Sequence, residues 1–376
     1  MTGSRRAGDR FGNPQFYSTL LAIASGPIMP IRHPPGVNGE YPLSLQNPGA
    51  GPAARRDAWS RYWAGGASHS CLGSYGDLYG GAIAAFWNAV FGTLPAAARV
   101  LDLATGNGVL PRMLLERCPG PGVQCDAVDI APIRPDWLAA LDPADRNRVR
   151  VQGGVDAEAL PFPDASFDLV VSQYGIEYAR LDRAVTEVLR VLAPAGGVAM
   201  VLHHAGGRPA ALAAVELDHL AWLAREGGFL DATAAMLEPM ARAATPQGRA
   251  SLQGDARANA VRERFNALQK EVSARGDGKE GADVLFEVRE GAMSLLALAG
   301  RQGAGAATAA MEVLRAELAA SETRLRDMLE HALDAGAAQA LRDRLASALG
   351  RPVSLEELHE DAGYLMGWAV RTHPAA

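Results

Sequence analysis

The spacing of apolar residues changes period along this chain, and each change marks a boundary. From Arg99 onward, short apolar runs alternate with amphipathic stretches in units of about 25 to 30 residues, the rhythm of parallel strands joined by crossover helices. The pattern predicts strands at Arg99 to Leu103, Gln124 to Asp129, Arg148 to Gly153, Phe167 to Ser172 and Val198 to His203. It predicts helices at Val109 to Arg117, Ile133 to Leu141 and Leu181 to Leu192, the last stopped by Ala193-Pro194-Ala195-Gly196-Gly197, read as a tight turn. Residues 99–208 therefore form a doubly wound α/β core.

On either side the pattern differs. Residues 1–54 hold many prolines and glycines between positions 30 and 52 and read as a disordered or extended tail. Residues 55–98 are aromatic-rich, with Ile83, Phe86, Trp87, Val90 and Phe91 on one helical face, and read as a helical lid. After Arg208 the alternation stops, and residues 209–349 are rich in Ala, Leu, Glu and Arg. Stripes such as Val261, Phe265, Leu268 and Val272, or Met311, Leu314, Leu318, Leu325 and Leu329, predict a helical bundle. Residues 350–376 change again. Val353 to Asp361, the turn Ala362-Gly363 and Tyr364 to Thr372 predict a hairpin, although Ser354 with Glu357 also fits a capped helix. The hairpin is preferred because it completes the sheet, which makes residues 209–349 an insertion between strands five and six.

Composition narrows the class. A net charge of −6 without a long basic run leaves no footprint for gripping nucleic acid. Three cysteines, Cys71, Cys118 and Cys125, lack metal-ligand spacing and suit a reducing cytoplasm. No metal site is expected, since no His, Asp and Glu cluster has ligand spacing. No apolar run reaches the roughly 18 residues of a membrane span. Arg5, Arg6 and Arg10 before Phe16 to Met29 loosely imitate a signal peptide, but Ser18, Thr19, Ser25, Gly26 and Pro27 dilute the apolar run. Translation starting at Met29, or a plain extension, fits better.

The chemistry lies in Val100 to Gly108, VLDLATGNG. A strand runs through an acid into a glycine turn, and a helix opens directly behind it, so backbone N–H groups and a positive helix end converge on one spot. A dinucleotide fold would place a third glycine where Pro111 stands, and a phosphate loop would need a Lys-Ser or Lys-Thr pair, which is missing. Asp129 ends the second strand, where a carboxylate accepts from ribose hydroxyls. Asp156 follows the third strand, where an acid accepts from an exocyclic amine. Solvated acids after strands are common, but Asp102, Asp129 and Asp156 on three successive strands together specify an adenosine without a diphosphate.

These segments resemble the class I S-adenosylmethionine-dependent methyltransferases, particularly the ubiquinone and menaquinone biosynthesis branch. The likeness is carried by VLDLATGNG, AVDIAP, VDAEALPFPDASFDLVVSQ and EVLRVLAPAGGVAMVL, in order, between Arg99 and His203. It implies a Rossmann-like seven-stranded sheet and S-adenosyl-L-methionine as cofactor. The loop Ala104, Thr105, Gly106, Asn107 and Gly108 would approach the methionine part, and Asp102 would support its amino group. Asp129 would hold the ribose, Ile130 would pack on the adenine, and Asp156 with Ala157 would read its edge. Ser172 and Gln173 would face the sulfonium. Ala104 departs from the family's first loop glycine and adds a methyl near the cofactor.

The implied reaction is in-line displacement at the sulfonium methyl, in which proximity supplies much of the rate and a base helps a hydroxyl acceptor. Tyr174, Glu177, His203 and His204 are the base candidates, each with an ordinary structural alternative. Tyr62, Trp63, His69, Tyr75 and Tyr79 are candidates for the substrate wall, with core packing as the competing role. The expected acceptor is a small aromatic or amphipathic molecule. A protein or RNA acceptor, and a binding protein without catalysis, are the alternatives. The helical insertion is a candidate dimer interface.

Overall fold

The computed structural model describes residues 51–70 and 78–372. They divide into two compact units, Gly51–Ala213 with Arg326–Ala376, and Ala214–Leu325.

The first unit is built on a seven-stranded sheet. Its strands are β1 (Arg99–Leu103), β2 (Gln124–Asp129), β3 (Val149–Gly153), β4 (Phe167–Gln173), β5 (Leu192–Leu202), β6 (Val353–His359) and β7 (Leu365–Thr372). They lie in the order β3-β2-β1-β4-β5-β7-β6. The first five are parallel, and the hairpin β6-β7 adds antiparallel to β5. Both faces are covered over the central strands β1, β4 and β5, which are buried at successive positions, whereas the outer strands β3 and β6 are partly exposed. Val100, Ala127, Val171 and Val201 pack on one side with α2 (Gly81–Phe91) and α3 (Val109–Arg117). Leu101, Leu103, Val170 and Met200 pack on the other with α6 (Leu181–Val191) and α13 (Ala335–Leu349). The lid segment begins with α1 (Pro52–Ala64), whose Pro52 occupies the first helical turn.

Three predicted details change. The stretch Ala193 to Gly197 is not a turn between α6 and β5. It lies inside β5, where Phe167 pairs with Leu192 and Leu169 with Gly197, so two steps along β4 face five along β5. The proline and glycines are absorbed as a bulge, which tolerates a missing N–H. The helix expected over Ile133 to Leu141 shrinks to the single turn α4 (Trp137–Ala140), and a second turn, α5 (Pro143–Arg146), follows beyond it. Pro135 and Pro143 break it, and Asp142 caps the second turn by accepting from the N–H groups of Ala144 and Asp145. Finally, α13 belongs to the sheet unit, burying Ala338, Leu341 and Leu345 among the sheet residues. The separate helical unit is therefore Ala214–Leu325, shorter than the 209–349 read from composition.

The helices α7 (Arg208–Ala224), α8 (Phe229–Arg242), α9 (Pro246–Leu252), α10 (Ala256–Gly276), α11 (Asp283–Gln302), α12 (Ala304–His331) and α13 all stand between β5 and β6 in the chain. The helical unit has its own core, with Phe229, Phe265, Leu268, Val272, Val288, Leu295, Met311 and Leu314 buried together. The chain leaves the sheet and returns to it at one place. The N–H of Ala205 donates to the Leu333 carbonyl, and the N–H of Leu333 donates to the His203 carbonyl. No helix among the described residues is long and apolar enough to cross a membrane.

Candidate active site

Strand alternation places the polar groups. Asp129, Asp102, Gln173 and His203 each stand two positions beyond a buried small or branched residue, Ala127, Val100, Val171 and Val201. They therefore lie on one face, at the carboxyl ends of the adjacent strands β2, β1, β4 and β5. All four are buried. In open α/β sheets this end of the strands is where ligands bind.

Above this row the chain makes the glycine turn. Ala104, Gly106 and Gly108 take φ values of 53°, 54° and 80°, and α3 follows at once. Gly106 and Gly108 adopt this conformation without a Cβ clash, whereas Ala104 carries some strain. The Ala104 methyl faces Gly175, where any side chain would begin 2.6 Å from it. Two indoles close on the turn. A Cβ at Gly106 would lie 2.6 Å from the Trp63 ring, and one at Gly108 would lie 2.8 Å from the Trp137 ring. Trp137 also donates its Nε1–H to the Asn107 carbonyl at 2.7 Å. The Asn107 amide in turn donates to the carbonyls of Trp63 at 2.9 Å and Ala67 at 2.7 Å, which ties the lid segment to the turn.

The acids differ in how they are held. Asp129 accepts from the N–H of Gly106 through Oδ2 and from the N–H of Ala131 through Oδ1, both at 2.8 Å. Each oxygen keeps a second lone pair for a ligand hydroxyl. Burial pushes Asp129 up to about 6, with the two N–H bonds pulling the other way. Asp102 accepts from the Thr105 hydroxyl at 2.5 Å through Oδ2, while its Oδ1 is buried without a protein partner. Burial pushes Asp102 up to about 8, against the Thr105 bond and helped by the nearby Asp129 charge. Asp156 is exposed and caps its own loop by accepting from the Glu158 N–H at 2.9 Å. Ala157 beside it is half-buried, and Ile130 stays 44% exposed, an apolar platform next to Asp129.

At the end of β4, Ser172 is fully engaged with backbone. Its hydroxyl donates to the Leu103 carbonyl and accepts from the Ile176 N–H, each at 3.0 Å. That makes it a splint between β1 and the loop after β4. Gln173 accepts from the Trp87 indole N–H at 2.5 Å, and its amide nitrogen has no protein partner. Tyr174, at φ 51°, donates its hydroxyl to the Met366 carbonyl at 2.8 Å and stacks on the His203 ring at 4.1 Å. It serves as a wall. Glu177 and His203 form a buried pair, with Glu177 Oε1 2.9 Å from His203 Nδ1. His204 lies outside this pair, stacked on Trp368.

Among the lid residues, Tyr62 donates its hydroxyl to the His69 carbonyl at 2.9 Å, and the His69 ring stacks on Tyr79 at 4.2 Å. Tyr79 meets Tyr174 edge-on at 6.4 Å, so this aromatic chain runs from the lid to the end of β4. Tyr75 lies outside the described residues. Trp137 was not legible as a site residue, since a lone tryptophan after Pro135 carries no motif. Trp59 was likewise missed; it stacks on Trp63 at 5.9 Å and donates its N–H to Asp327 at 2.9 Å, with Arg55 at 3.1 Å from the same carboxylate.

Sheet order, glycine turn and the buried carboxylate row together make a doubly wound α/β fold with a candidate nucleotide-type site at the strand ends. Residues 100–196 match the family described as a methyltransferase domain. The chain is 44% identical over 103 residues to a demethylmenaquinone methyltransferase of Thermus thermophilus, covering 27% of this chain and 45% of that protein. It is 40% identical over 106 residues to a malonyl-[acyl-carrier protein] O-methyltransferase of Methylococcus capsulatus, covering 28% and 37%. It is 41% identical over 109 residues to a ubiquinone/menaquinone biosynthesis C-methyltransferase of Xanthomonas oryzae, covering 28% and 41%. The chain thus spans less than half the length of each of these relatives.

Proposed function

We propose that this protein transfers a methyl group from S-adenosyl-L-methionine to a small-molecule acceptor. The observation that carries the reading is the polar row under the glycine turn, above all Asp129, whose two oxygens are aimed by the N–H groups of Gly106 and Ala131. The residues fit this cofactor. Asp102 offers a buried oxygen without a partner to an ammonium group, Asp129 has lone pairs for two hydroxyls, and Ile130 offers an apolar face to a base. Asp156 and Ala157 stand at the next loop, where a base edge would be read. When bound, the cofactor supplies an electrophilic methyl on sulfur, and the protein's part is orientation and exclusion of water.

The acceptor belongs, in this reading, to the small aromatic or amphipathic compounds, supported by the aromatic lid of Tyr62, Trp63, His69 and Tyr79. One relative is a demethylmenaquinone methyltransferase, named for a small-molecule substrate. The same reading places the protein in the cytoplasm, with Cys118 and Cys125 as free thiols, and has it pair as a homodimer through the helical unit, which sedimentation would test.

Calorimetry with the cofactor tests the binding step. The parent protein is expected to bind it, and Asp129→Ala to weaken binding at least tenfold, about 1.4 kcal/mol; equal affinity for both would remove Asp129 from the site. Incubation with methyl-labelled cofactor and a deproteinised cell extract then tests transfer, with mass identification of the labelled product. Binding without transfer to any fraction would leave a binding protein in place of an enzyme.

A further inference from the structure

The geometry points to His203 as the catalytic base that takes a proton from the methyl acceptor, with Glu177 as its positioning residue. This rests on the proposed methyl transfer and adds to it the kind of acceptor, a neutral molecule whose nucleophile is a hydroxyl.

Glu177 and His203 have side chains 0% and 1% exposed. One carboxylate oxygen, Glu177 Oε1, is 2.9 Å from both the backbone N and the ring Nδ1 of His203. The backbone N–H donates to it, and because a carboxylate only accepts, Nδ1 must carry a hydrogen as well. The neutral ring then presents Nε2 as a bare lone pair. Nε2 is buried and has no protein partner, and neither has Glu177 Oε2. Tyr174 stacks on the ring at 4.1 Å and Tyr178 meets it edge-on at 5.9 Å, so the ring plane is fixed. Tyr174 is committed to Met366 by its own hydroxyl and stands as a wall. The large majority of buried side-chain polar atoms have a partner. The His203 ring is satisfied on one side alone, and it stands past the end of β5, with Gln173 of β4 between it and the two carboxylates that would hold the cofactor.

The step balances as follows. The acceptor's hydroxyl proton moves to His203 Nε2 as the acceptor oxygen bonds to the methyl carbon; the carbon–sulfur bond breaks and its electron pair stays on sulfur. The resulting imidazolium faces the Glu177 carboxylate, which stabilises it. A carboxylate acceptor has no proton to give and would add a second negative charge beside Glu177. A phenolic or enolic hydroxyl meets both conditions.

Nitrogen-15 histidine spectra of the full-length protein test the pair without turnover. The parent is expected to show His203 as the Nδ1–H tautomer, and Glu177→Gln to disturb that signal; an Nε2–H tautomer in the parent would overturn the proposal. Cofactor calorimetry on the parent, H203Q and E177Q separates the two readings, because failure of the parent to bind refutes methyl transfer itself, not the base. With the unmethylated precursor of the labelled product as substrate, H203Q should lower kcat about 100-fold or more while cofactor affinity stays within about twofold. E177Q should lower kcat less and shift the acid limb of the pH profile. A carboxylate ester or N-methyl product, or unchanged kcat in H203Q, would overturn the assignment.

Discussion

Asp102 shows how a single buried acid links binding to pH. Its carboxyl is pushed from an ordinary 3.8 up to about 8, so near neutrality the folded chain holds a proton that the unfolded chain releases. Stability from this group is full below about pH 4 and is lost as pH rises toward 8, at no more than about 1.4 kcal/mol per pH unit. Asp129, raised to about 6, adds the same sign at lower pH. Asp102→Asn keeps a partner for Thr105 and cannot ionise. Thermal unfolding should therefore show the variant gaining on the parent between pH 5 and pH 8, and a constant difference would exclude Asp102 as the source. A ligand ammonium at Oδ1 favours the ionised form, so cofactor binding at pH 7 should release protons, seen as a buffer-dependent heat in calorimetry. At this scale the sequence was partly legible. Asp102, Asp129 and the glycines declare themselves because strand, acid and turn are neighbours in the chain. Ser172 and Gln173 were named through the family resemblance, but their bonds to Leu103 and Trp87 were not legible, because those partners lie 69 and 86 residues away.

At the scale of elements, the lid helix α1 is fastened from two sides. Asn107 holds the carbonyls of Trp63 and Ala67, while Asp327 holds Arg55 and Trp59. Asn107→Ala takes one donor from each carbonyl; Trp63 keeps the Gly66 N–H, so the cost of about 1–3 kcal/mol falls on the Ala67 carbonyl where it is shielded from water. Faster amide exchange is expected in residues 55–70, with the sheet unaffected; uniform loosening would mean that the tie is not local. Trp63 lies against Gly106, so titration with S-adenosylhomocysteine should change tryptophan fluorescence, and Trp63→Phe should remove most of the change. Helix α3 and the hairpin were legible because their periods are local and strong. The two short turns α4 and α5 were not, since the apolar spacing of Ile133 to Leu141 outvoted Pro135. Ala193 to Gly197 misled for the opposite reason: breakers were read as a turn where a bulge in β5 absorbs them.

For the whole molecule, Ala214–Leu325 is an excursion of the chain between β5 and α13 that forms a compact unit of its own. The chain departs and returns through hydrogen bonds between Ala205, Leu333 and His203, and the excursion's own core is closed on itself. Replacing residues 214–325 by a flexible linker of about 12 residues should leave a folded sheet unit, since loop length enters stability only logarithmically. Circular dichroism and cofactor calorimetry would check this. Loss of fold would show that the sheet unit depends on the helical one. Composition revealed the insertion but not its ends, because α13 has the same Ala-rich content as the helices of the separate unit while packing on the sheet.

The pairing of β5 with β7 also sets a timetable. Leu202 lies opposite Trp368. On a ribosome adding about 5–20 residues per second, the edge of β5 waits on the order of ten to thirty seconds for its neighbour. Throughout that interval Ala199 to Leu202 offer open backbone and apolar side chains, the conditions under which nascent chains pair with one another. The helical unit is synthesised during the same interval, so biosynthesis of this protein should be sensitive to translation speed across residues 205–365, and slow codons there should raise the aggregated fraction.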